Sequence, residues 1–78
     1  MRLYIATFHT HLAALRSCRS LGAKGLRAQM TPVPRKLSSS CGTCVRYEAE
    51  EPEYACLDRD TEAVYEDLGG EYRALRTF

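Results

Sequence analysis

The first apolar segment of the chain alternates small, β-branched and aromatic side chains and then changes to a helical period. Residues 3–8 (Leu-Tyr-Ile-Ala-Thr-Phe) are rich in strand-forming residues and predict a first strand. Thr10 is placed to cap the helix that follows, and Gly22 and Gly25 are placed to end it. The apolar positions that define this helix recur by threes and fours at Leu12, Leu15, Cys18 and Leu21.

The middle of the chain predicts two further strands separated by a long loop. Residues 26–31 alternate between apolar and polar side chains, as a strand with one buried face does. Pro32 ends that strand because proline has no N–H to donate to a sheet ladder. Residues 32–43 contain two prolines and a serine run and predict a loop, and residues 44–49 predict a third strand.

The last third of the chain predicts a second helix and a fourth strand. Pro52 suits a first helical turn. Gly69-Gly70 would end the helix, and residues 71–78 would form the final strand. The helical spacing is carried by Tyr54, Leu57, Thr61, Val64, Tyr65 and Leu68.

The resulting order, β-α-β-β-α-β, predicts an α+β fold of the ferredoxin-like split βαβ type. Residues 1–78 would form one domain, with a four-stranded antiparallel sheet and two helices on one of its faces. In that topology the third strand lies between the first two. The 32–43 loop, the start of the first helix and Gly69-Gly70 are therefore expected at one sheet edge.

Composition and charge narrow the class of protein. Four cysteines in 78 residues are fewer than secreted disulfide scaffolds contain. No secretory signal and no apolar run of membrane length is visible. A cytoplasmic protein with reduced thiols is therefore expected. Residues 1–47 carry eight Lys/Arg and no acid, whereas residues 48–78 carry three Lys/Arg and all ten acids. The two halves could neutralise each other, or the basic half could face an anionic partner. The basic half contains no nucleic-acid-binding motif.

The loop carries the chain's most distinctive chemistry. A cysteine is nucleophilic as its thiolate, and Cys41 lies in a basic, serine-rich setting that is expected to favour that form. Gly42 lets the backbone approach an incoming sulfur or selenium atom without a Cβ in the way. The residues expected to assist Cys41 as binding residues are Arg35, Ser38, Ser39, Ser40 and Gly42.

Cys41 and Cys44 form a C-x-x-C pair, which leaves several interpretations open. Cys44 could resolve an adduct on Cys41 by forming a disulfide, or it could be the first inward-facing residue of the third strand. A zinc site is a further alternative, with His9, His11, Cys41 and Cys44 as a two-His, two-Cys ligand set. The remaining cysteines, Cys18 and Cys56, are interpreted as small apolar residues of the helices.

The segment from Pro32 to Gly42, P-V-P-R-K-L-S-S-S-C-G, resembles the signature of small bacterial proteins called putative selenium/sulfur carrier-like proteins. The opening Tyr4–Thr10 and the Ala/Leu-rich helix after it are also similar, so the resemblance covers nearly the whole chain. It implies a single domain with Cys41 as the carrier residue. The chain departs from the family pattern at Cys44, where an apolar residue is usual, so the resemblance carries no role over to Cys44.

The leading hypothesis is therefore a sulfur or selenium carrier. Cys41 would hold a persulfide or perselenide that it receives from a donor protein and delivers to an acceptor protein. Such a protein would be a carrier rather than a turnover enzyme and would need no cofactor. The alternatives are a non-catalytic protein-binding module and a zinc or redox-switch protein that uses Cys41 and Cys44. The edge strands of the predicted sheet would also allow pairing into a homodimer.

Overall fold

Five antiparallel strands form a single sheet in the computed structural model, which describes all 78 residues. The order of the strands across the sheet is β2-β3-β1-β4-β5. Along the chain the elements are β1 (Arg2–Phe8), α1 (His11–Ala23), β2 (Arg27–Pro32), β3 (Thr43–Ala49), a 3-10 turn (Tyr54–Cys56), β4 (Thr61–Asp67) and β5 (Tyr72–Thr77).

The elements of the first half lie where the sequence predicts them, although Leu12, which the helical spacing placed on the apolar face of α1, is exposed. Strand β3 lies antiparallel between β1 and β2, with Tyr4 opposite Tyr47 and Met30 opposite Val45. Helix α1 begins after Thr10, whose Oγ1 accepts a hydrogen bond from the Ala13 N–H at 3.0 Å. The 13 residues of α1 make a helix too short and too polar to cross a membrane, and the fold contains no longer one.

The predicted second helix, and with it the ferredoxin-like fold of four strands and two helices, is wrong. Residues 61–67 form strand β4, which pairs antiparallel with β1 and places Val64 opposite Ala6. Only the three residues Tyr54–Cys56 of the predicted helix are helical, as a single 3-10 turn. The fold is therefore a mostly-β sheet of five strands with one helix.

Two physical causes favour the strand over the helix. Thr61, Val64 and Tyr65 are β-branched or aromatic, and such residues fit a pleated sheet better than a helix. Strand β1 has five consecutive buried residues, so it is covered on both faces, and its backbone needs a neighbouring strand on each side. Strand β3 supplies one neighbour and β4 supplies the other.

Gly69 and Gly70 form the turn of the β4–β5 hairpin instead of ending a helix. Their φ angles are +84° and +99°, a region that glycine adopts without strain. The carboxylate of Asp67 accepts hydrogen bonds from both of their N–H groups at 3.0 Å. Because β4 runs antiparallel to β1, this turn lies beside the start of β1. The prediction had placed it beside the end of β1, which is the opposite end of the strands.

The core lies between α1 and one face of the sheet, and its largest fully buried side chains include Tyr4, Phe8, Leu21 and Tyr47. The segment between β3 and β4 closes the core where the second helix was expected. The Oγ of Ser17, fully buried on α1, accepts a hydrogen bond from the Asp58 N–H at 2.8 Å. This bond attaches the segment to α1.

We expect Ser17→Ala to destabilise the domain by about 1–3 kcal/mol, since it leaves the Asp58 N–H without its partner in a buried position. Ser20→Ala, an exposed site on the same helix, is the matched control and should be neutral or slightly stabilising because alanine is the better helix former. Urea unfolding followed by circular dichroism measures both. Equal midpoints for the two variants would contradict this role of Ser17.

Candidate functional site

The loop between β2 and β3, residues 33–42, crosses the sheet on the face opposite α1. At its base, the Val33 N–H donates to the Gly42 carbonyl at 3.2 Å. The Lys36 ammonium donates to the Gly70 carbonyl at 3.0 Å, at the far end of the sheet. Beneath the loop, Ile5 and Thr7 are fully buried although their side chains point away from α1. The loop therefore acts as a cover for the second face of the sheet.

Cys41 lies near the end of this loop and is half-buried. Its Sγ lies 3.4 Å from the Thr43 carbonyl and 3.8 Å from the Ser39 hydroxyl, and its side chain packs against the core. The next residue, Gly42, has φ +74°, and no atom lies within 4 Å of the position that a Cβ would occupy. One side of Cys41 is thus packed, while the backbone after it is open.

Two contacts attach the Cys41 segment to the junction between β1 and α1. The Ser39 hydroxyl donates to the Phe8 carbonyl at 2.9 Å, and the Thr43 hydroxyl lies 3.4 Å from Nδ1 of His11. Since His11 is the first residue of α1, these contacts place Cys41 beside the N-terminal end of the helix. The loop and the start of the helix thus meet at one sheet edge, as the sequence predicts.

Glu62 holds the adjacent part of the loop. Its carboxylate accepts hydrogen bonds from the N–H and the hydroxyl of Ser40 at 2.8 and 3.1 Å, and Nδ1 of His9 lies 3.7 Å away. Partial burial opposes ionisation, but the hydrogen bonds from Ser40 outweigh it and hold the pKa of Glu62 below its ordinary value. Glu62 falls within the predicted second helix, so the sequence pattern does not place it at the loop. The strand-forming residues Thr61, Val64 and Tyr65 are the signal that favours a strand there.

The serines were predicted to assist Cys41, but the hydroxyls of Ser39 and Ser40 hold the loop to its neighbours. Ser39 donates to the Phe8 carbonyl and Ser40 contacts Glu62, while Ser38 is exposed and forms no hydrogen bond within the chain. Arg35 is also exposed and forms no ion pair or hydrogen bond within the chain. Of the residues expected to assist Cys41, Ser39 and Gly42 are its neighbours in the fold.

Cys44 is fully buried on β3 and differs sharply from Cys41. Its Sγ lies 3.2 Å from the Thr31 hydroxyl and 3.7 Å from the Pro32 carbonyl. Burial raises the pKa of the Cys44 thiol, although the hydrogen bond with Thr31 opposes the shift. Both Cys41 and Cys44 are free thiols. Cys44 stands opposite Thr7, so it is buried on the face of the sheet that the loop covers, whereas the inward-facing interpretation placed it in the core beneath α1.

The proposed zinc ligands have different partners. His9 contacts Glu62, and His11 contacts Thr43. No group of three or more His, Cys, Asp or Glu side chains is close enough together to hold a metal ion. Cys18 and Cys56 are half-buried and pack against the core.

We expect Glu62→Gln to destabilise the domain at neutral pH by about 1 kcal/mol, as for a partly exposed hydrogen bond to a charged group. Because the pKa of Glu62 is lower in the folded chain, its contribution is complete above the ordinary glutamate value of about 4.3 and is lost as pH falls through the folded value. The difference between wild type and variant should thus shrink between about pH 5 and pH 3. Urea midpoints at pH 7, 5 and 3 measure it, and a pH-independent difference would contradict the carboxylate's role.

Comparison with known proteins gives one match. No curated protein and no solved structure matches the chain. The sequence model of one protein family, described as "Putative Se/S carrier protein-like", matches residues 3–67. That span contains α1, strands β2 to β4, all of β1 except Arg2, and the entire Cys41 loop. Since the match covers most of the chain, the protein belongs to the putative Se/S carrier protein-like family.

Proposed function

We propose that the protein carries one sulfur or selenium atom on Cys41, as a persulfide or perselenide. The observation that supports this most directly is the setting of Cys41, a partly buried free thiol on an anchored loop with an open glycine after it. Anchoring by Ser39 and Ser40 would limit the motion of the loop on either side of an exchange. The family's description points to the same class of function.

Loading on Cys41 is a thiol exchange. The Cys41 thiol, which contacts the Thr43 carbonyl at rest, loses its proton to solvent and attacks the outer sulfur of a donor persulfide. A bond forms between Cys41 Sγ and that outer sulfur, the donor's own sulfur–sulfur bond breaks, and the donor leaves as a thiolate that takes up a proton. No net oxidation or reduction occurs. The same steps apply with selenium as the outer atom.

Delivery reverses this exchange. A thiolate of the acceptor protein attacks the outer atom of the loaded Cys41, and Cys41 leaves as its thiolate. The chain thus holds the atom between two partner proteins rather than turning over a substrate. Reduced thiols are needed on all three proteins, in keeping with the cytoplasmic location expected from the sequence.

Cys44 has no part in this proposal. Its thiol is fully buried, and its raised pKa keeps it protonated at neutral pH, so it is a poor attacking group. A disulfide between Cys41 and Cys44 would also release the carried sulfur as sulfide and would then need a reductant. We propose instead that Cys44 packs the sheet beneath the loop.

The experiment that tests the function is intact-mass analysis after incubation with a small persulfide, cysteine persulfide. Wild-type protein should gain one sulfur atom per chain, and Cys41→Ser should gain none at that site. An equal mass gain on both proteins would overturn the proposal.

A further inference from the structure

The structure accounts for only half of the positive charge in the first 47 residues. Four of the eight Lys/Arg side chains form ion pairs, each with an acid from the second half of the chain: Arg2, Lys24, Lys36 and Arg46. The four that form no ion pair within the chain are Arg16, Arg19, Arg27 and Arg35. All four are exposed. Two of them, Arg16 and Arg19, lie on α1.

These two arginines share the outward face of α1 with an exposed leucine. Leu12, Arg16 and Arg19 follow one another at spacings of four and three, so they form one stripe along the helix. The stripe lies opposite the buried face of α1, which is formed by Ala13, Ala14, Ser17 and Leu21. Leu12 is 51% exposed, and α1 contains no acidic residue. We call Leu12, Arg16 and Arg19 the helix stripe.

The helix stripe begins at the N-terminal end of α1, which the Cys41 segment contacts. Thr43 contacts His11, the residue immediately before Leu12, and Cys41 packs against the same core cluster as Ala13 and Ala14. At a rise of about 1.5 Å per residue, Arg16 and Arg19 lie about 8 and 12 Å along the helix from His11. A protein that rests on the stripe and extends past Leu12 would meet the end of α1 that the Cys41 segment contacts through Thr43.

We propose that the helix stripe is the docking surface for the protein that exchanges sulfur or selenium with Cys41, and that this partner presents an acidic surface there. This inference rests on the proposed carrier function. Two unpaired arginines with no acid on their helix attract carboxylates, and such charge complementarity accelerates association. Leu12 adds an apolar contact at the end nearest Cys41. Arg27 lies on edge strand β2 and is outside the stripe.

A synthetic persulfide donor tests the surface without the natural partner. The donor is a peptide with one cysteine persulfide among glutamates, and its matched control has glutamine at every glutamate position. Cys41 attacks the outer sulfur of either peptide, the peptide's sulfur–sulfur bond breaks and the peptide thiolate leaves. We expect transfer from the acidic peptide to be about 5- to 10-fold faster at low salt, and this preference to vanish in 0.5 M NaCl.

Charge reversal on the chain assigns the preference to the stripe. Arg16→Glu and Arg19→Glu should each remove most of the preference for the acidic peptide while leaving the rate from the neutral peptide unchanged. Arg27→Glu is the matched control, an exposed and unpaired arginine off the stripe, and should keep the preference. Loss of preference in Arg27→Glu to the same extent, or no loss in either helix variant, would overturn the inference.

A failure of the carrier function would look different, since neither peptide would then transfer sulfur. In that case an NMR titration of the chain with the unreactive acidic peptide, its cysteine replaced by serine, still tests the surface. Changes in backbone amide chemical shift that centre on Leu12, Arg16 and Arg19 support the inference. Changes that centre on Arg27 or Arg35 overturn it. If sedimentation shows that the chain dimerises and that Arg16→Glu or Arg19→Glu breaks the dimer, the stripe binds a second copy of the chain and the inferred partner is wrong.

Discussion

Phe8→Ala is expected to leave the domain largely unfolded at 25 °C. Removing a fully buried phenylalanine costs about 3–5 kcal/mol. A single core in a chain of this size provides a total stability of about the same amount. Phe8 is fully buried at the end of β1, within the cluster that joins α1 to the sheet. Its loss leaves a cavity at the junction where the Cys41 loop is attached.

Phe78→Ala is the matched control, because it removes the same side chain from a site that is 52% exposed. Phe78 contacts Arg76 and Tyr54, so we expect a loss of about 1 kcal/mol or less. Far-ultraviolet circular dichroism and urea unfolding compare the two variants. A Phe8→Ala protein within 1 kcal/mol of Phe78→Ala would show that the junction is not central to the core.

The first half of the fold could be predicted because its signals are local. The strand-forming residues of β1, the Thr10 cap and the proline after Thr31 each act within a few residues of their own position. The position of β3 between β1 and β2 then follows from the general preference for split βαβ arrangements. Neither step needs information from the second half of the chain.

The second half could not be predicted in the same way, because one set of apolar residues fits two periods. Thr61, Val64 and Leu68 satisfy a helical spacing. In the structure, Thr61, Ala63 and Val64 are buried in strand β4. The pairing of this strand with β1 is irregular near Phe8. The bulge disturbs simple alternation and hides the strand. The strand forms because one side of β1 has no hydrogen-bonded neighbour until β4 pairs with it. β1 is distant from β4 in the sequence, so no residue near β4 indicates this requirement.

The candidate site also has a part with a local sequence signal and a part that depends on contacts distant in sequence. The Cys41-Gly42 pair and the serine run mark the loop by composition alone, and the structure places that loop at the start of α1. The contact between Ser40 and Glu62 joins positions 22 residues apart, and it depends on β4. Since β4 was predicted as helix, the residue that holds the loop from the opposite side could not be inferred.

The Cys41→Ser protein should not gain the sulfur atom that wild type gains, whereas the Cys44→Ser protein should gain it as wild type does. The contrast follows from their surroundings, since Cys41 is only partly buried beside an open Gly42, whereas Cys44 is fully buried and burial raises the pKa of its thiol. Cys44→Ser places a hydroxyl beside the Thr31 hydroxyl and the Pro32 carbonyl, both of which can hydrogen-bond to it. Intact mass and tryptic peptide mapping after treatment with cysteine persulfide measure the loaded fraction and its position.

Cys18→Ser is the control for general thiol reactivity, because Cys18 is also half-buried but lies on α1 away from the loop. We expect it to load like wild type, with the added sulfur still on the peptide that contains Cys41. Loss of loading in Cys44→Ser, in a protein whose circular dichroism is unchanged, would restore Cys44 as a reacting partner of Cys41. Sulfur spread evenly over all four cysteines would show that the loop confers no selectivity, and a specific carrier role for Cys41 would then fail.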